Sequence, residues 1–217
     1  MGINEIDDIK ANDFIMSLDK EDKDLFEIKE YAIKKSVPII RDETKNFLKM
    51  LIGISKPKNI LELGTAIAYS TYIIYKAAEK NVGIFKTVEE NKERIEKAKN
   101  NIEKYLNLDK IKLVEDDITN YLKSESLEFD FIFLDAAKAQ YINWLPNIKR
   151  LMKKNAILVA DNIFKDGEIL ESKYYIFKRD RTIHKRMREF LWSITHDEEL
   201  STQIFNIGDG ISVSIKK

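Results

Sequence analysis

Three oxygen-bearing side chains stand where two apolar runs stop: Asp135 ends FDFIFLD, and Asp161 with Asn162 ends AILVADN. Short apolar runs of this kind are buried parallel strands, and their carboxyl ends open onto the crevice where α/β proteins hold ligands. Hard oxygen donors without sulfur or imidazole suit Mg²⁺, or Mn²⁺ in its place, with water or substrate oxygens completing an octahedron. Lys138 follows Asp135 by three residues and adds an amine to the same place. One strand-end acid alone is more often the N-cap of the next helix. Two strand ends carrying three donors and a lysine favour a cation site.

The elements that position these residues follow from the pattern around them. From Asn59 onward, short apolar strands alternate with amphipathic helices: NILELG, a helix over Tyr69 to Lys80, GIFKTVE, Lys92 to Leu106, IKLVED, then Ile118 to Lys123. FDFIFLD, a helix over Gln140 to Lys153 and AILVAD continue the alternation, which is that of a doubly wound parallel sheet. A charged helix over Asp180 to Thr195 precedes TQIFNI and GISVSI, two runs separated by Gly208-Asp209-Gly210 that predict a hairpin at the sheet edge. Residues 4–55 carry apolar positions at helical spacing, with a break at Val37-Pro38, and form a helical cap (1–55) ahead of the α/β core (56–217). No repeat or linker divides the 217 residues, so one domain is expected.

Composition removes several chemistries. There is no cysteine and only two histidines, His184 and His196, so disulfides, thiolate nucleophiles and zinc-thiolate sites are excluded. No run approaches the roughly 18 to 20 apolar residues of a membrane span, and acids stand where a signal peptide would be apolar. A cytoplasmic protein without a membrane partner is expected. Lys and Arg balance Asp and Glu at 37 each, so global charge does not call for nucleic acid, although a local basic patch remains compatible.

The other strand ends describe a second ligand. Gly64 in ELGTAIAYS permits a tight turn and close backbone approach, but Ala66 and Ala68 stand where a dinucleotide fingerprint wants further glycines. Glu89 ends the second strand, where a carboxylate can accept from both ribose hydroxyls, and Glu115-Asp116-Asp117 ends the third, where an acid can accept from an adenine amine. Glu62, Gly64, Glu89 and Asp117 together outline a pocket for an adenosine without phosphates.

ELGTAIAYS, KTVEENKER, the acid after strand three, FDFIFLDAAKAQY and LVADNIFKDG, in this order, resemble the S-adenosylmethionine-dependent, divalent-metal O-methyltransferases, the catechol and caffeoyl-CoA type, over about residues 30–217. EYAIKKSVPI, DAAKAQY, DNIFKDG and IGDGISVSIKK are most similar to the bacterial branch that methylates 5-hydroxyuridine in tRNA. The resemblance implies a Rossmann-like class I methyltransferase fold: a seven-stranded, mostly parallel sheet with a C-terminal antiparallel hairpin and N-terminal helices. It also implies metal ligands at Asp135, Asp161 and Asn162, and Lys138 as the base beside the reacting oxygen. S-adenosylmethionine would be bound by Glu62, Gly64, Ser70, Glu89, Asp117 and Asp135, and the assembly would be a homodimer. Ala68 and Ala139 depart from the glycines usual in that family, and Ala68 puts a side chain into the cofactor loop.

A lysine beside a dication has its ammonium form disfavoured, which lowers its pKa toward the range of a general base. A cation that binds substrate through two oxygens asks for vicinal donors, and both catechols and 5-hydroxyuracil, with its 4-carbonyl, supply them. The distinguishing feature is peripheral: KYYIFKRDRTIHKRMR, Lys173 to Arg188, holds seven basic residues and one acid among three aromatics. Basic side chains hold phosphates while aromatics stack on unpaired bases, which makes Lys178, Arg179, Arg181, Lys185 and Arg186 candidate contacts to a tRNA anticodon loop. The competing readings are a small-molecule catechol-type O-methyltransferase and a catalytically idle cofactor- or RNA-binding module. Arg41 is a candidate substrate contact on the helical cap.

Overall fold

The computed structural model describes residues 8–20 and 22–217. Residues 1–7 and 21 of the expected helical cap lie outside these. The cap is three helices, α1 (Asp8–Ser17), α2 (Lys23–Lys35) and α3 (Asp42–Ser55). Asp22 caps α2 by accepting from the N–H groups of Asp24 and Leu25, and Ser36 ends it in the left-handed region (φ 52°), just ahead of Val37-Pro38. In α3, Thr44, Leu48 and Ile52 recur every four residues and are buried, so this face packs onto α4 (Tyr69–Ala78).

Seven strands follow: β1 (Asn59–Leu63), β2 (Ile84–Glu89), β3 (Ile111–Glu115), β4 (Phe129–Leu134), β5 (Met152–Ala160), β6 (Leu200–Phe205) and β7 (Ile211–Lys216). Their order is β3-β2-β1-β4-β5-β7-β6. The first five are parallel, while β7 runs antiparallel to both β5 and β6, the expected edge hairpin. The remaining helices are α5 (Lys92–Tyr105), α6 (Ile118–Ser124), α7 (Tyr141–Leu151) and α8 (Arg181–His196).

β4 explains why the centre of the sheet reads as an uninterrupted apolar run. Phe131 and Phe133 join the core shared with α2 to α5, whereas Ile132 and Leu134 join the one shared with α6 to α8. All four are fully buried, and each such side chain contributes about 1.5–3 kcal/mol. The order of strands reverses at β1 and β4, and a crevice opens beyond their carboxyl ends at that switch point.

Several boundaries differ from expectation, those of β5 and α7 among them. β5 starts at Met152 rather than Ala156, because Met152 pairs with Phe129 across a register shift and draws the polar segment Lys153 to Asn155 into the strand. The helix expected over Gln140 to Lys153 is α7, which follows a 3-10 turn at Lys138–Gln140 and ends at Leu151, where Met152 enters β5. Among the described residues no helix is long and apolar enough to cross a membrane.

Candidate active site

The ends of β1 and β4 almost touch. Gly64 adopts φ 104°, and a Cβ built on it would lie 2.1 Å from the carbonyl oxygen of Asp135. The Gly64 and Thr65 N–H groups donate to Val88 O, which ties the same loop to β2. Beyond these strand ends lies a cavity of about 690 Å³, lined by Gly64, Ser70, Glu89 and Asp117 of the expected cofactor set and by Asp135, Lys138 and Asn162 of the expected cation set. That volume lies within the range of small-molecule sites.

Glu89 is buried, not part of a solvated charge run. Its Oε2 accepts from the N–H of Ala66 at 2.9 Å and its Oε1 from those of Glu90 and Asn91, so it braces the glycine loop from β2. Asp117 both lines the cavity and caps α6, accepting from the Asn120 N–H. Thr119 and Trp144, absent from the expected set, also line the cavity, and the indole N–H of Trp144 donates to Thr119 Oγ1 at 3.1 Å.

Glu62 requires a correction: it is fully buried beneath the cavity and is not among its lining residues. Its carboxylate accepts from the hydroxyls of Ser70 (2.6 Å), Thr71 (2.5 Å) and Thr87 (2.6 Å), and thereby fastens the start of α4 to β1 and β2. Burial pushes the Glu62 carboxyl up to about 7 from 4.5, the three hydroxyls opposing the shift and Asp135 adding to it. The folded value exceeds the unfolded one, so this group's contribution to stability is full below pH 4.5 and is lost as pH rises through 7. Glu62→Gln should therefore lose less melting temperature than the wild type between pH 5 and pH 8, by several degrees. Parallel Tm-versus-pH curves for the two proteins would refute the assignment.

The cation set is assembled from three places. Asp135 follows β4 directly, Asp161 follows β5, and Asn162 sits in the left-handed region at φ 52°, which asparagine tolerates. Lys138 Nζ donates to Asp135 Oδ1 (2.7 Å), to the Tyr141 hydroxyl (2.9 Å) and to the carbonyl of Asp161 (3.0 Å). Asp161 is fully buried and its Oδ2 has no hydrogen-bond partner, the sole such buried side-chain atom among the described residues. Burial, then repulsion from Asp135, raises the Asp161 carboxyl to about 7.

A buried carboxylate oxygen without a donor, near a second carboxylate and a side-chain amide, is chemistry that a hard divalent cation completes. Among the described residues no group of three or more acids, histidines or cysteines is placed to hold a metal ion, so the donor set here would be two carboxylates and one amide. The residues present fit Mg²⁺ or Mn²⁺.

Lys138 departs from the expected lowering. Burial pulls its pKa down, but the charges of Tyr141 and Asp135 and the hydrogen bonds to both outweigh it, and the ammonium is held above the ordinary lysine range. Tyr141 is the functional residue that sequence reasoning missed. Its hydroxyl accepts from Lys138 and from the Ala136 N–H, and donates to Leu134 O, so it fixes the amine above β4.

The basic segment flanks the site. Lys165 lines the cavity and pairs with Asp180 at 3.1 Å, holding the start of α8 to the cavity wall. Tyr174, Tyr175 and Phe177 are 78%, 82% and 74% exposed, with Lys173 over the Tyr174 ring and Arg179 over Phe177. The five candidate basic residues divide. Lys178, Arg179, Arg181 and Lys185 are exposed, Arg181 also donating to Ile176 O, whereas Arg186 is half-buried and donates to Ala139 O beside Lys138. Arg41 pairs with Asp166 at 2.9 Å and donates to Gly208 O, latching the cap to the loop after β5.

Comparison with known proteins agrees with this geometry. The model of a family described as O-methyltransferase matches residues 16–217. A catechol O-methyltransferase from Niastella koreensis is 32% identical over 129 residues, which span 58% of each chain. Caffeoyl-CoA O-methyltransferase 1 from Arabidopsis thaliana is 26% identical over 209 residues, 89% of this chain and 78% of that protein. The SAH-bound Podospora anserina methyltransferase PaMTH1 has the same fold, with a TM-score of 0.86 at 22% identity, covering 100% of this chain and 98% of the other.

Proposed function

Given that the chain belongs to the O-methyltransferase family, we propose that it transfers the methyl group of S-adenosylmethionine to one of two vicinal substrate oxygens held at Asp135, Asp161 and Asn162. We further propose that the acceptor is the 5-hydroxyl of a modified uridine at the wobble position of a tRNA anticodon loop, giving 5-methoxyuridine. The observation that carries the first part is the partnerless buried Oδ2 of Asp161, which lies behind the cavity wall next to Asn162 and near Asp135, both of which line the cavity.

When bound, a divalent cation would neutralise the two carboxylates, lower the pKa of a nearby substrate hydroxyl and compete with Lys138 for Asp135, while S-adenosylmethionine supplies the methyl. The chain's own residues do the rest. Glu89 and the Gly64 loop accept the ribose, and Asp117 offers its carboxylate near the adenine amine while capping α6. Tyr141 and Asp135 hold Lys138 Nζ beside the acceptor hydroxyl, where the amine can take the hydroxyl's proton once the ammonium has given up its own proton to solvent, and the fixed position supplies the orientation that a displacement requires.

The tRNA acceptor is supported by the exposed aromatics and cations of the segment tied to the cavity through Lys165. The relatives named for catechol favour a small vicinal diol as the second reading. The test offers unmodified tRNA, tRNA bearing 5-hydroxyuridine and a simple catechol in parallel, with S-adenosylmethionine and Mg²⁺. Methylation of the 5-hydroxyuridine tRNA alone is expected. Transfer confined to catechol would remove the tRNA reading, and transfer to nothing would favour an idle module. Binding of tRNA should also weaken by about 10³-fold or more between 50 and 200 mM salt if six or more phosphates are contacted. Lys178→Glu with Arg179→Glu should reduce that slope without altering S-adenosylmethionine affinity.

A further inference from the structure

We infer that Thr44, on the helical cap, is a positioning residue that aims the Asp161 carboxylate at the cation. The inference rests on the cation reading above. Thr44 is 1% exposed, in the first turn of α3, and its hydroxyl donates to Asp161 Oδ1 at 3.3 Å across 117 residues of chain. Lys138 takes the main-chain carbonyl of Asp161 and leaves its carboxylate alone. With Oδ1 engaged by Thr44 and Oδ2 without a partner, the carboxylate is held in one rotation, with a single oxygen free for a ligand.

Thr44 cannot drift away from this role. A Cβ on Gly208 would lie 2.8 Å from Thr44 Oγ1, so the turn between β6 and β7 packs directly on the hydroxyl. Three residues earlier, Arg41 grips Asp166 and Gly208 O, pinning the start of α3 to the loop that carries Asp161 and Asn162. The cap thus reaches the Asp161 carboxylate through the Thr44 hydroxyl, and the neutral donor stabilises the ionised carboxylate without adding a charge that would repel a cation. Partners that orient ligating carboxylates typically change metal affinity by 10- to 100-fold when removed.

The test is Mn²⁺ titration of the purified protein, read by calorimetry or by the spin signal of free Mn²⁺, with no substrate present. Thr44→Val keeps the shape and removes the donor, and is expected to weaken Mn²⁺ about tenfold, with S-adenosylmethionine affinity unchanged. Thr44→Ser keeps the donor and should bind Mn²⁺ like the wild type. Wild-type affinity in Thr44→Val, or an equal loss in Thr44→Ser, would overturn the assignment of the hydroxyl while leaving the cation site standing. A wild-type protein that binds no Mn²⁺ would overturn the cation reading itself.

Discussion

Lys138→Ala should bind S-adenosylmethionine and Mn²⁺ normally yet turn over about 10²- to 10⁴-fold more slowly, the usual contribution of a positioned acid or base. The two halves of that result come from the same contacts. Nζ bonds Asp135 Oδ1, the Tyr141 hydroxyl and the Asp161 carbonyl, so the amine stands among the groups that would hold the substrate. Removing it deletes a positive charge from the oxygen that a cation would use, and cation affinity should hold steady or rise. Glu89 and Asp117 lie on other strands and are untouched, which preserves the cofactor end. The decisive measurement is single-turnover methyl transfer alongside Mn²⁺ titration. Turnover close to that of the wild type would end the base assignment, and lost Mn²⁺ binding would make Lys138 a structural residue.

What the chain discloses in one dimension depends on how local the cause is. Asp135 and Asp161 were legible because an apolar strand that stops at an acid is a local pattern, and a parallel sheet follows from the alternation of strands and helices, though the strand order does not. Glu62 was legible as an acid at a strand end, but not as a buried one. In a sheet covered on both faces, alternation gives no sign of which neighbours meet the side chain, and three hydroxyls from α4 and β2 decide it. The start of β5 was hidden because Lys153, Lys154 and Asn155 enter the strand through its pairing with β4. Thr44 and Tyr141 were missed for a common reason: their functional atoms act on partners brought near only by the fold. The basic segment shows the converse, since Arg186 is half-buried and held on the Ala139 carbonyl while Lys178, Arg179 and Arg181 are exposed.

Gly64→Ala should destabilise the fold by about 3 kcal/mol, at or beyond the top of the usual overpacking range, and weaken S-adenosylmethionine by more than about thirtyfold. Left-handed strain alone is too small to produce this, because the same loop already carries Ala66 at φ 46° and Ala68 at φ 67°. Strain of that kind costs roughly 1–2 kcal/mol per residue. What sets Gly64 apart is the 2.1 Å approach of its would-be Cβ to the Asp135 carbonyl oxygen and 2.9 Å to the carbon behind it. Both are main-chain atoms, so relief must come from moving β1 away from β4. The Asp135 N–H donates to Leu63 O at 3.0 Å, and Gly64 itself donates to Val88 O, so any such shift breaks the junction of three strands. A methyl group there would drive the cofactor loop against the strand end that carries Asp135. Ala68→Gly serves as the control: it removes strain, introduces no contact and should bind S-adenosylmethionine at least as well as the wild type. Calorimetric titration with S-adenosylmethionine and a melting curve decide the matter. Unchanged affinity and Tm in Gly64→Ala would mean that the loop and Asp135 are not in fact mechanically joined.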